Sequence, residues 1–126
     1  MQRLMLKSKI HGATITDKQL HYKGSITLDK NLLKAADILP SEQVHVLNLN
    51  TGARFITYAI SARAGSGAVV LNGPAAFLGE IGEKIIVLSY CQCENDEARK
   101  IKPNIVHLND KNRLRPGAVV FKQKRK

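Results

Sequence analysis

The apolar residues of this 126-residue chain come in short runs, and a turn signal closes each one. "QVHVLNL" (43–49) meets "NTG", "RFITYAISA" (54–62) runs into "GSG" at 65–67, and "AVVLN" ends at Gly73-Pro74. Short runs rich in β-branched residues and bounded by Gly, Pro and Asn read as strands. Further strands are predicted over Gln2 to Ile10, Ala13 to Thr16, "HYKGSITL", "KIIVLSYCQ" and "NIVHLND", the last before the C-terminal tail. Helical signals are few. Asp29 is placed to N-cap a short helix over Lys30 to Ala36, with Leu32, Leu33 and Ala36 on one face. "GPAAFLGEIGE" reads as a second short helix or a loop, and "ENDEARKIKPN" as a charged connection. No long amphipathic helix is available to cross over a parallel sheet. The pattern therefore predicts a mainly β fold, a small barrel with short helices.

The length is that of one domain. Hydrophobic residues at 44% and charged residues at 24% are ordinary for a globular protein. The net charge of +10 suggests nucleic acid, but its distribution argues otherwise. From Lys111 onward there are seven basic residues and no acid, whereas residues 1–110 carry thirteen basic against ten acidic. The expected organisation is a barrel over 1–110 and a basic tail over 111–126, poorly ordered. No apolar run is long enough to span a bilayer, and "MQRLMLKSKI" lacks a secretory h-region, so a cytoplasmic protein is expected. Cys91 and Cys93, two apart, make at most a weak metal site. No histidine pair has metal spacing, and no metal is expected.

The remaining chemistry is sparse. Alternation in "RFITYAI" puts Arg54, Ile56, Tyr58 and Ile60 on one face, and Phe55, Thr57 and Ala59 on the other. An arginine and a tyrosine on one face can hold a carboxylate and deliver a proton; they can equally be a rim arginine above a half-buried tyrosine. Lys9 and His11 pose the same choice. Asn72-Gly73-Pro74 is foremost a turn whose amides can cradle a small polar ligand. Gly24-Ser25 interrupts an expected strand, either as a glycine bulge or as a strained peptide whose carbonyl the Ser25 hydroxyl attacks.

Set side by side, "KSKIH", "LHYKGSITLD", "TGARFITYAI" and "VLNGPAA" occur in an order that resembles the aspartate 1-decarboxylase family, over about residues 1 to 108. The resemblance implies a six-stranded double-psi β-barrel and a homotetramer of processed α and β chains, with active sites between neighbouring subunits. It implies self-cleavage between Gly24 and Ser25, which leaves a covalent pyruvoyl group derived from Ser25. L-Aspartate would then form a Schiff base on that group, lose carbon dioxide and leave as β-alanine, for pantothenate synthesis. By the same resemblance Tyr58 is the proton donor. Lys9, Arg54, Thr57, Asn72, Gly73, Pro74 and Ala75 bind substrate, and Thr57 also assists processing. His11 and Tyr22 support the pyruvoyl group.

Position 74 departs from the family pattern, since proline replaces the common alanine and cannot donate a backbone hydrogen bond. Two other readings compete. One is a basic barrel that binds RNA or an acidic partner through its tail, against which stands the 5% aromatic content. The other is a barrel that keeps the fold and never processes.

Overall fold

The computed structural model of the chain describes residues 1–119. In chain order the elements are β1 (Gln2–Thr14), β2 (Asp17–Gln19), β3 (Ser25–Asp29), α1 (Lys30–Ala36), β4 (Gln43–Asn48), β5 (Arg54–Ala62) and β6 (Val69–Asn72). A 3-10 helix (Gly73–Leu78), β7 (Lys84–Glu94), α2 (Asn95–Ala98), β8 (Asn104–Leu108) and β9 (Leu114–Val119) complete the fold.

The nine strands form one mixed sheet in the order β2-β6-β3-β5-β4-β7-β1-β8-β9. Chain continuity forces this sheet to curl. Laid flat, β2 and β1 would lie six strand spacings apart, about 29 Å. Only Ile15 and Thr16 separate them, and three peptide units reach about 11 Å. The sheet therefore wraps until β2, which continues β1, pairs with β6. Ile15 N–H still bonds the Glu83 carbonyl on the β7 side (3.0 Å), while Thr16 N–H bonds the Val69 carbonyl of β6 (2.8 Å). With β2 continuing β1, six strands make the wall: β1, β6, β3, β5, β4 and β7. The mainly β class with short helices is as expected, and so is a six-stranded wall. β8 and β9 add to it, pairing outward from β1.

The core lies inside the wall. Ile10, Ile26, Leu28, Val44, Val46, Val69, Leu71, Ile85 and Val87 are essentially inaccessible and belong to one cluster. Helix α1 closes one end by burying Leu32, Leu33 and Ala36, the face read from the sequence. At seven residues it is too short to persist alone and depends on that packing. Asp29 caps it, accepting from Asn31 N–H at 2.8 Å. The same carboxylate accepts from Gly65 (3.1 Å) and Gly67 (2.9 Å), tying the 65–67 turn to the end of β3.

Two boundaries differ from expectation. Strand β3 begins at Ser25, and Leu20 to Gly24 form a turn and bends, because those residues wrap over the barrel rim. The ordered fold also continues past residue 110. Asn112 is buried, donating to the carbonyls of Thr14 and Gly67 (2.9 Å each) and accepting from Thr14 N–H (2.7 Å). Strand β9 then pairs with β8. The rest of the basic tail, 120–126, lies outside the described residues.

Candidate active site

Strands β3 and β6 run antiparallel with Ser25 opposite Asn72. Both side chains are buried, Ser25 completely. Asn72 Nδ2 donates to Ser25 Oγ (3.0 Å) and to Thr27 Oγ1 (2.8 Å). The Ser25 hydroxyl donates to the Lys23 carbonyl (3.1 Å). Every polar atom of this cluster is thus satisfied, as burial requires. A carbonyl cannot ionise a serine, so the arrangement positions the hydroxyl rather than deprotonating it. The acyl group within its reach is that of Gly24, through a five-membered ring.

The backbone around Gly24 is shaped from outside. Gly73 is left-handed (φ 61°), and a Cβ there would lie 2.5 Å from the Tyr22 carbonyl oxygen and 2.8 Å from the Gly24 nitrogen. Only glycine permits that approach. Pro74 packs its ring over Gly24, where a Cβ would stand 3.3 Å from Pro74 Cδ. Pro74 lies in the first turn of the 3-10 helix, so its missing N–H falls where the helix has no use for one. Gly24 itself does not adopt the left-handed conformation. The expected strand through Gly24 is therefore corrected: Gly24 precedes the strand, and the left-handed residue is its neighbour Gly73. Ala75 is buried beneath the same turn, while the Tyr22 side chain is exposed.

The other expected site residues spread along the outer face of the wall. β3 and β5 are parallel with Ile26 opposite Ala59, so Tyr58 stands beside Ser25, one position back on each strand. Thr57 falls on the opposite face, as alternation predicts, and no hydrogen bond joins its hydroxyl to Ser25 among the described residues. Arg54 sits four residues along β5 from Tyr58, about 13 Å away. Its Nη2 donates to Tyr90 Oη (3.0 Å) and lies 3.2 Å from His45 Nδ1. Lys9 pairs in register with Leu88 and His11 with Ile86. Leu88 and Ile86 lie outside the core cluster, which places Lys9 and His11 on this outer face. The His11 ring is 5.6 Å from His107. Burial, then the charges of Lys9 and His107, lower the His11 pKa below the usual 6.5. By register Ser25 is level with Asn72 and Gln19, so Lys9 and His11 lie ten and eight residues back along the chain from the nearest point of the β1–β2 continuation. One chain therefore brings Gly24, Ser25, Asn72, Gly73, Pro74 and Tyr58 together, and leaves Arg54, Lys9 and His11 apart from them.

The chain matches the family model described as aspartate decarboxylase over residues 1–115. It belongs to the aspartate decarboxylase family. Among curated relatives it is 57% identical to aspartate 1-decarboxylase 1 of Gloeobacter violaceus over 114 residues, covering 90% of this chain and 97% of that one. Aspartate 1-decarboxylase of Thermoanaerobacter pseudethanolicus is 52% identical over 113 residues, with the same two coverages, 90% and 97%. That of Syntrophobacter fumaroxidans is 54% identical, covering 90% and 91%.

In this member of the aspartate decarboxylase family, three polar residues at the candidate site escaped the sequence reading. Thr27 was signalled by its spacing of two from Ser25, which puts both on one face. His45 and Tyr90 had no local signal, because only the register of β4, β5 and β7 brings them to Arg54. Cys91 and Cys93 place their Sγ atoms 3.5 Å apart. Burial, then the neighbouring Cys91 thiol and Glu97, push Cys93 up to about 11, so it stays protonated at neutral pH. No helix among the described residues is long and apolar enough to cross a membrane.

Proposed function

We infer that this chain is a pyruvoyl-dependent L-aspartate α-decarboxylase that makes its own prosthetic group, releases β-alanine, and acts in the cytoplasm for pantothenate synthesis. The observation that carries the reading is the fully buried Ser25 hydroxyl, held by Asn72 beside the Gly24 carbonyl. Family membership supports it.

Maturation uses the chain's own atoms. Ser25 Oγ bonds to the Gly24 carbonyl carbon, the Gly24–Ser25 C–N bond breaks, and the hydroxyl proton passes to the freed nitrogen. Elimination across the Ser25 Cα–Cβ bond then expels the Gly24 carboxylate. Water hydrolyses the resulting enamine, through its imine, and ammonia leaves. Gly73 and Pro74 hold the Gly24 backbone from outside.

The donor set fits the product. Asn72 offers an amide N–H where Ser25 Oγ now accepts one, and Thr27, Ala75 and the Gly73 backbone line the same place. When present, the pyruvoyl group supplies a ketone that binds the substrate amine and withdraws electrons from its α-carbon. The protein's residues do the rest. Tyr58 delivers a proton to carbon. Arg54 and Lys9 receive the carboxylates, the first as a planar, delocalised cation and the second as a point charge. His11 and Tyr22 support the site, and Asn72, Gly73, Pro74 and Ala75 border the substrate.

The spread of these groups supports a site between subunits. Arg54 and Lys9 stand apart from Ser25 along the chain, and a neighbouring copy supplying one set would bring them together. A homotetramer satisfies this.

Denatured intact mass tests the reading. The expected result is two species, residues 1–24 and a 25–126 chain lighter by one ammonia than its serine form, with β-alanine formed from L-aspartate. Decarboxylation that persists in Ser25→Ala would overturn it.

A further inference from the structure

We propose that His45 and Tyr90 are positioning residues that aim the Arg54 guanidinium without neutralising it. This rests on the reading above, in which Arg54 receives a substrate carboxylate. Arg54 stands at the exposed start of β5, where a long side chain would otherwise sample many rotamers. Two neighbouring strands restrain it. β4 contributes His45 and β7 contributes Tyr90, both converging on Nη2 at 3.2 and 3.0 Å. The two rings meet edge to face with centroids 4.9 Å apart, so each acceptor also fixes the other.

The chemistry of the acceptors is the telling part. A guanidinium has donors and no lone pair, so the contact with His45 requires Nδ1 to accept. The His45 ring engaged with Arg54 is therefore neutral and carries its proton on Nε2. Tyr90 accepts through a neutral phenol oxygen. A carboxylate partner would aim the arginine equally well but would compete with an anionic substrate for its charge. Among the described residues no carboxylate lies within ion-pair distance of Arg54. Both Nη2 hydrogens are occupied, which leaves the Nη1 hydrogens and Nε–H for an incoming carboxylate. These are single donors on separate edges rather than a two-pronged fork, and the cation is held in place with its charge intact.

The test uses the full-length, self-processed enzyme and L-aspartate. Tyr90→Phe removes one oxygen and keeps the ring. The expected result is a KM raised about tenfold, the change that loss of one charge-assisted hydrogen bond converts to. Expected alongside are kcat within about twofold and complete Gly24–Ser25 cleavage by mass. His45→Leu should do the same, and His45→Gln, which keeps an acceptor, should restore most of the loss. In an Arg54→Lys background, Tyr90→Phe should change KM no further, because its effect passes through the guanidinium. Unchanged KM in both Tyr90→Phe and His45→Leu, with KM raised in Arg54→Lys, overturns the positioning role and leaves the decarboxylase reading standing. Loss of cleavage or of kcat in step with KM overturns it as well, by showing a structural role. A wild-type enzyme that makes no β-alanine overturns the parent reading, and this one with it, before any substitution is made.

Discussion

The two polar clusters on the outer face of the wall are built in opposite ways. At the first, Ser25 and Asn72 are buried, and glycine and proline backbone sets the geometry. At the second, Arg54 is exposed beside half-buried His45 and Tyr90, and three strands hold one long side chain through its tip. The difference follows from what each must do. Peptide rearrangement between adjacent residues needs water kept out and one backbone conformation kept in. Capture of a charged substrate needs a fixed charge open to solvent. Substitutions at the first cluster should therefore move cleavage, and those at the second should move KM.

The sharpest way to break that division is Gly73→Ala. Its Cβ would stand 2.5 Å from the Tyr22 carbonyl oxygen, a backbone atom that cannot rotate away. The left-handed φ of 61° adds its own cost. Together these should destabilise the fold by about 3 kcal/mol, and the displaced Gly24 peptide should fail to cleave. Mass spectrometry and a urea melt read the two effects. Full cleavage at the normal rate would show that the close approach does not govern Gly24.

Asn72→Ala comes next. It removes the donor shared by Ser25 and Thr27 and leaves two hydroxyls without it. Cleavage should slow about 100-fold, the scale of misplacing a reacting group by about 1 Å. KM of whatever enzyme matures should move far less. A variant that cleaves normally but binds aspartate poorly would reverse the roles assigned to the two clusters.

How much of this was legible beforehand depends on the range of the interactions. The Asp29 cap, the buried face of α1 and the span of β5 are local matters of spacing, and they stand as read. The Gly24-Ser25 pair was legible as a special dipeptide, but its setting was not. A strand was expected through it, whereas the chain bends over the rim and the left-handed residue is Gly73, nearly fifty positions away. β9 was missed because a basic, proline-containing segment carries no strand signal, and its pairing with β8 is a tertiary effect. His45 and Tyr90 belong to the same class. Each looks like an ordinary strand residue until the register sets it beside Arg54.

Acid should distinguish the two regions by the smallest effect. At the far end of β3 from Ser25, Asp29 is pushed up by burial, but the N–H groups of Gly67, Asn31 and Gly65, with the Arg113 charge, outweigh this and lower its pKa below 3.8. A lowered carboxylate stabilises the fold above its unfolded value, and that contribution fades as pH falls from 3.8 through the folded value. At the exposed end, His11 is lowered below 6.5 by burial, Lys9 and His107. The unfolded chain then takes up the proton first, so this contribution is complete above 6.5 and declines as pH falls below it. Both groups cost stability in acid, but in separate windows. Urea midpoints across pH should show a shallow fall below 6.5 that His11→Gln flattens, and a later fall below 3.8 that Asp29→Asn flattens. If one substitution flattened both windows, the two regions would be electrostatically coupled rather than independent.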